Sequence, residues 1–237
     1  MKRSAIYVSM DTVIIIPAYN EEATIAQVIK DVQKSMDADI VVVNDGSRDH
    51  TSAITHELGV KVIDLQENQG IGVAMRTGYQ YAYAQNYQFA IQVDADGQHD
   101  INRLQDILDL IKNKQCDMAV GSRYVIKTNY HSTFLRRLGI RYFSILLYVL
   151  HKKWIKDTTS GFRAVNQKVI KVFMKQYPDD YPEVPMLSYI LKHDFSVCEI
   201  PVEMKQRQGG KSSINFTDSI VYMIKTTAVC LKQYFTL

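Results

Sequence analysis

Five short apolar runs, each separated from the next by a helical pattern, narrow what this chain can fold into more than any other feature. Val13–Ile16, closed by Pro17, is β-branched throughout, Ile40–Val43 and Met118–Val120 are similarly continuous, and Val60–Leu65 and Phe89–Val93 read as two further strands. Runs without polar alternation are strands covered on both faces, which is the habit of parallel sheets. Between them lie helical patterns. Glu21–Ser35 has Ile25, Val28, Ile29 and Val32 on one face and two acids at its start, and a second pattern capped by Ser47 or Asp49 runs to about Leu58. Gly72–Gln85 follows, and then a pattern capped by Asp100 with Leu104, Ile107, Leu108 and Ile111. Repeated β-α-β units predict an α/β fold with a Rossmann-like, doubly wound, mostly parallel sheet. In such sheets ligands bind beyond the carboxyl ends of the strands.

The second half is less regular. Helices are expected over Phe134–Leu150, Lys168–Gln176, Val184–Lys192 and Thr217–Phe235, and strands over Phe162–Val165 and Ser196–Val202. No repeat or linker divides the 237 residues, so one domain is expected. Within it, 1–122 is the regular α/β half, 123–214 the less regular half and 215–237 a C-terminal amphipathic helix. At 46% hydrophobic and 22% charged, the chain is neither disordered nor low-complexity. A net charge of +3 is too small to imply a nucleic-acid partner. Cys116, Cys198 and Cys230 are odd in number and far apart, which excludes a disulfide framework and a CxxC zinc site and fits a reducing compartment. The N-terminus lacks the apolar region of an export signal, and no apolar stretch approaches the roughly 20 residues of a spanning helix. A cytoplasmic location, peripheral on the inner face of the cell membrane, is therefore expected.

Polar residues gather at the predicted carboxyl edge: Pro17-Ala18-Tyr19-Asn20-Glu21, Asn44-Asp45-Gly46-Ser47, Asp94-Ala95-Asp96-Gly97-Gln98 and Gly121-Ser122-Arg123. Asp94 and Asp96, two apart on an extended chain, point the same way and can share one hard divalent cation. Mg²⁺ takes one or two carboxylates and completes its shell with substrate phosphates. Such an ion improves a diphosphate as a leaving group, with Gln98 or His99 available to complete the shell. The alternative is a solvated acidic turn. Asp45 reads equally as an acceptor for a ribose hydroxyl or base N–H and as part of an Asp-Gly turn. Gly70-Ile71-Gly72 fails as a dinucleotide fingerprint because Met75 occupies the third glycine position. Gly209-Gly210-Lys211-Ser212 fails as a P-loop because Lys205 replaces the first glycine. Both glycine sets read instead as places of close backbone approach to a ligand, or of loop mobility.

Taken in order, VIIIPAYNEE, VVVNDGSRDHT, ENQGIG, VDADGQHD and GSRY resemble the family 2 inverting glycosyltransferases with a GT-A fold. DTTSGFRAVN and MKQRQGGKSSI extend the resemblance to the polyprenyl-phosphate sugar transferases, the group that includes dolichyl-phosphate mannose synthase. It spans about Thr12 to Asn215, and implies that 1–122 is the nucleotide-sugar-binding half and 123–214 the acceptor half. It implies that Pro17, Tyr19, Asn20, Glu21, Asp45 and Gly70 line a nucleoside pocket. Asp94 and Asp96, with Gln98 as a third ligand, would hold Mg²⁺ or Mn²⁺ on the diphosphate. Arg123, together with Arg136, Arg137 or Arg141, would grip the acceptor phosphate, Arg207 and Lys211 would close over the diphosphate, and Asp157 would belong to the site. The implied reaction is one in-line displacement at the anomeric carbon with inversion. An acceptor phosphate is already anionic and needs no strong base. Positioning and cations at the leaving group would carry catalysis.

The segment from Arg123 to Arg163 holds nine Lys and Arg against one acid, Asp157, leaving −5 for the rest of the chain. Cations flanking an apolar, aromatic helix suit an anionic membrane surface. The resemblance thus implies a sugar nucleotide donor (UDP-glucose or UDP-N-acetylglucosamine ahead of GDP-mannose) and polyprenyl phosphate as acceptor. A small membrane protein or a second copy would be a further partner, because many relatives carry membrane helices. Three other readings compete. A transferase acting on a glycan or protein hydroxyl needs a base, with Asp157, Asp179, Asp180 and Glu183 as candidates. A non-enzymatic sugar-nucleotide-binding module would not need the Asp94-Asp96 pair. A nucleotidyltransferase would need a Gly-rich loop after Val13–Ile16, which is missing.

Overall fold

The computed structural model describes residues 11–126, 134–205 and 216–236. The elements follow the predicted alternation. β1 (Thr12–Ala18), α1 (Ile25–Ser35), β2 (Asp39–Asn44), α2 (Thr51–Glu57), β3 (Lys61–Asp64) and α3 (Ile71–Ala84) lead to β4 (Phe89–Gln92), α4 (Leu104–Lys112) and β5 (Met118–Ser122). Then come α5 (Phe134–His151), β6 (Arg163–Asn166), α6 (Gln167–Gln176), α7 (Glu183–Lys192), β7 (Val197–Pro201) and α8 (Phe216–Phe235).

The seven strands lie in the order β3-β2-β1-β4-β6-β5-β7. All neighbours are parallel except those of β6, which runs antiparallel to both β4 and β5. This insertion decides where the second half of the chain meets the first. Because β6 runs backwards, its first residue, Arg163, pairs with Gln92 at the carboxyl end of β4. The turn that precedes β6 is thereby delivered to the ligand edge of the sheet.

Alternate residues of each strand serve opposite layers. Val13 and Ile15 pack with α3, α5, α6 and α7 on one face. Ile14 and Ile16 pack with α1 and α4 on the other. Each such aliphatic side chain, wholly buried, contributes about 1.5–3 kcal/mol, which is why a continuous β-branched run is needed at the centre of the sheet. Cys116, Cys198 and Cys230 are free thiols.

Three local expectations are corrected. α1 begins at Ile25 rather than Glu21. Asn20 is in the left-handed region (φ 54°), and the Glu21 carbonyl accepts from Thr24 and Ile25 N–H in a turn that precedes the helix. His50, not Ser47 or Asp49, is the cap residue of α2, although the Asp49 carboxylate accepts the Thr51 N–H at 3.0 Å. Asp100 precedes a short 3₁₀ turn instead of capping α4, and its carboxylate makes no cap bond.

Candidate active site

The ends of β1 and β2 are tied into a shallow cleft. Asn20 donates its N–H to Ser47 Oγ at 2.9 Å and accepts the Arg48 N–H at 2.8 Å. Glu21 N–H donates to Thr51 Oγ1. Tyr19, Asn44, Gly46, Arg48, Leu65 and Asn68 line a cavity of about 260 Å³ here, with Tyr19 exposed at its wall. Asp45 does not face this space freely. Its buried carboxylate accepts from Gln69 N–H (2.8 Å), Gly70 N–H (2.8 Å) and Asn68 Nδ2 (3.0 Å). Asp45 and Gly70 therefore come together with each other, and the aspartate works as the staple of the loop that enters α3. Gly70 has φ +92°, a conformation open to glycine at little cost. The close approach at Gly72 is to the chain itself: a Cβ there would lie 2.0 Å from the Pro178 carbonyl oxygen.

Asp94 and Asp96 project from the loop after β4. Gln92 Nε2 donates to Asp94 Oδ1 at 3.0 Å, and Asp96 Oδ1 accepts the Gln98 N–H at 3.0 Å. The Asp94 side chain remains 35% exposed, enough for an ion to reach it. Burial pushes the Asp94 carboxyl up, but the His99 ring, the Gln92 amide and the Arg163 charge outweigh it, so the group sits below its ordinary value and is ionised. His99 is turned inward instead of completing an ion's shell. Its Nδ1 accepts the Asp94 N–H at 3.0 Å, which places the ring hydrogen on Nε2, 3.3 Å from Asp94 Oδ2. Gln98 is tied to Lys205 twice: its Nε2 donates to the Lys205 carbonyl at 3.2 Å and its own carbonyl accepts the Lys205 N–H at 2.9 Å. Lys205 is thus held against Gln98, and Arg207 and Lys211 lie outside the described residues.

The donor set fits a hard cation. Two carboxylates and one amide oxygen at a strand end suit Mg²⁺ or Mn²⁺ that takes its remaining ligands from phosphate oxygens. Among the described residues, no group of three or more His, Cys, Asp and Glu side chains offers a closed metal cage.

Arg123 and Asp157 meet, but as a buried pair. Nε and Nη2 of Arg123 donate to the two Asp157 oxygens at 2.7 Å each, and Nη2 also donates to Thr159 Oγ1 at 3.0 Å. Asp157 accepts the Arg123 N–H as well, and its own N–H donates to Glu199. The arginine expected to face the acceptor phosphate is turned inward, where it joins β5 to the 157–161 turn. The acceptor-phosphate candidates on α5, Arg136, Arg137 and Arg141, are exposed instead. Around them Leu135, Leu138, Tyr142, Ile145 and Val149 form an exposed apolar stripe at helical spacing. Tyr142 Oη meets Thr227 Oγ1 of α8 at 2.9 Å, and α8 adds exposed Ile220, Ile224 and Leu231. No described helix is long and apolar enough to cross a membrane.

Sequence reasoning missed Gly161 and Arg163, and named Glu183 only as one candidate base. A Cβ on Gly161 would lie 2.8 Å from Asp94 Oδ2, so the turn before β6 passes directly over the carboxylate. Glu183 opens α7, and burial pushes its carboxyl up despite the opposing charge of Arg163. Nothing in local spacing marks these residues, because β6 brings them in from a distance.

A mostly parallel sheet whose carboxyl edge carries an acidic pair after β4 and a polar cleft at the ends of β1 and β2 defines a GT-A fold. The chain belongs to Glycosyl transferase family 2, whose profile it matches over residues 13–173, and it is a glycosyltransferase. It is 30% identical to the UDP-N-acetylglucosamine–dolichyl-phosphate N-acetylglucosaminyltransferase of Methanococcus voltae, over 80% of this chain and 84% of that one. It is 29% identical to the polyprenol monophosphomannose synthase of Mycolicibacterium smegmatis, over 86% and 81%. Glucosyl-3-phosphoglycerate synthase from Mycobacterium tuberculosis, solved with Mn²⁺, UDP and phosphoglyceric acid, shares the fold at TM-score 0.69 and 15% identity, covering 95% of this chain and 79% of that one.

Proposed function

We propose that this glycosyltransferase moves a hexose or N-acetylhexosamine from a sugar nucleotide to polyprenyl phosphate, with inversion, at the inner face of the cell membrane, supplying lipid-linked sugar for envelope glycan. The observation that carries this is the ionised, accessible Asp94 beside Asp96 at the carboxyl end of β4, in a chain whose relatives are named as dolichyl- and polyprenol-phosphate sugar transferases. A UDP-sugar is favoured as donor, UDP-glucose or UDP-N-acetylglucosamine, with GDP-mannose next.

The nucleoside lies against Pro17, Tyr19, Asn20 and Glu21, with Asp45 and Gly70 shaping the floor. Asp94, Asp96 and Gln98 would hold Mg²⁺ or Mn²⁺, which would supply positive charge to the departing diphosphate. Arg207 and Lys211 cover the diphosphate. Arg136, Arg137 and Arg141, exposed on α5, draw the acceptor phosphate to the site, while Arg123 acts through its pair with Asp157 to shape the acceptor wall. The phosphate oxygen attacks the anomeric carbon from the face opposite the leaving group. The stripe on α5 and the adjoining face of α8 rest in the lipid interface, with the flanking cations on anionic headgroups.

The test is a radiolabel transfer assay with labelled sugar nucleotides, undecaprenyl phosphate and Mg²⁺ or Mn²⁺. Organic-phase counts from one donor, abolished by EDTA, are expected. Counts insensitive to EDTA would remove the cation assignment, and no counts with any donor would remove the lipid acceptor. One observation favours a second reading: the raised carboxyl of Glu183 is suited to a base for a hydroxyl acceptor. Transfer to glycans and not to lipid phosphate, lost in Glu183→Gln, would establish it.

A further inference from the structure

Arg163 is the largest wholly buried side chain among the described residues. Arginine is rarely buried without a carboxylate partner, yet here none lies within ion-pair distance among the described residues. Its Nε donates to the Ser160 carbonyl at 2.7 Å, and Nη2 donates to the carbonyls of Thr158 (3.4 Å) and Glu183 (3.1 Å). Among the described residues Nη1 has no hydrogen-bond partner, and neither does Oε1 of Gln92, its register partner on β4. Burying an incompletely bonded guanidinium weakens a fold, so stability alone does not account for the residue.

The geometry accounts for it differently. The carbonyls it holds belong to the turn that passes over Asp94 and to the first residue of α7. Gly161 belongs to that turn and lies so close to Asp94 that a Cβ would sit 2.8 Å from Asp94 Oδ2 and 3.0 Å from Gln92 Nε2. The charge of Arg163 also acts on both Asp94 and Glu183. We propose that Arg163 is a positioning residue of the cation site: its fork locks the 158–161 turn over Asp94 and docks the start of α7 beside it, so that the carboxylate meets the metal–nucleotide complex in one fixed orientation. This rests on the cation reading given above.

The fork matters more than the charge in this account, so lysine does not replace it. Full-length wild type, Arg163→Lys, Arg163→Gln and Gly161→Ala are titrated with Mn²⁺ in the presence of UDP or GDP, by electron paramagnetic resonance, with circular dichroism and thermal melts alongside. Gly161→Ala disturbs the same turn without touching a buried charge, and Arg103→Ala, a surface residue paired with Asp106, is the control. At least a tenfold weaker Mn²⁺ affinity is expected in folded Arg163→Lys and in Gly161→Ala, with Arg103→Ala unchanged. Wild-type Mn²⁺ affinity in Arg163→Lys or in Gly161→Ala overturns the proposal. A wild type that binds no Mn²⁺ with either nucleotide overturns the cation reading and this proposal with it, so the two failures are told apart by the wild-type titration.

Discussion

At the scale of single residues, the site is a set of side chains held by bonds that leave few of them free. In the proposed mechanism Asp96 would help hold the cation at the leaving group, and Asp96→Asn keeps the shape but removes the charge. Turnover is expected to fall on the order of 10²–10³-fold, with the melting temperature unchanged; near-normal turnover in a steady-state assay would remove Asp96 from the ion's shell. Asp157 is a different kind of residue. Both its oxygens are bonded to Arg123 in the interior, so Asp157→Ala leaves a buried guanidinium without its partner. The loss is about 3–5 kcal/mol, or roughly 6–20 °C in a melt of a chain this size. A drop in activity with no drop in Tm would instead make Asp157 a group that touches substrate.

At the scale of elements, α5 carries apolar side chains on two faces. Ile140, Phe143 and Leu147 are buried, while Leu138, Ile145 and Val149 face outward beside three arginines. A helix with a second apolar stripe at i, i+3, i+4 spacing has an outward use. Ile145→Glu with Val149→Glu is expected to weaken binding to vesicles of anionic lipid tenfold or more, since one buried aliphatic side chain is worth about 1.5–3 kcal/mol. Co-sedimentation reads the change, and binding that is unchanged in the double variant would place the membrane contact elsewhere. Arg136, Arg137 and Arg141 were legible as a basic helix from composition alone. That Arg123 would leave this set was not, because its partner lies 34 residues along the chain.

At the scale of the whole molecule, pH acts on the fold through groups of opposite sign. Asp49, Asp64 and Asp117 are partly buried, which raises their carboxyls, but hydrogen bonds from Thr51, from Asn44, Ser52 and His56, and from Ser196 and Asn166 outweigh this and hold each below its ordinary 3.8. A depressed carboxylate contributes stability that is complete above its unfolded value and is lost as pH falls through the folded one. Glu183 is raised by burial, so its contribution is present below its ordinary 4.5 and lost as pH rises through the folded value. The urea midpoint is thus expected to hold through mildly acidic pH and to fall below about pH 3.8, where the aspartates protonate. Glu183→Gln should raise the midpoint at neutral pH and leave it unchanged below pH 4.5; equal shifts at both would show that its ionisation is not what the fold opposes.

Local periodicity was enough to set the layers, the element order and the edge that carries the polar cluster. Those follow from local periodicity: a continuous β-branched run such as Val13–Ile16 has to be covered on both sides, and a polar cluster such as Asp94-Ala95-Asp96 at a strand end has one edge to occupy. Long-range packing settled that β6 enters antiparallel between β4 and β5, that Asp45 staples the 68–70 loop, and that Arg123 closes on Asp157. It also decided that Arg163 lies buried beneath the turn over Asp94. Strand order and long-range pairing depend on which distant surfaces bury best against each other, and no window of neighbouring residues records that.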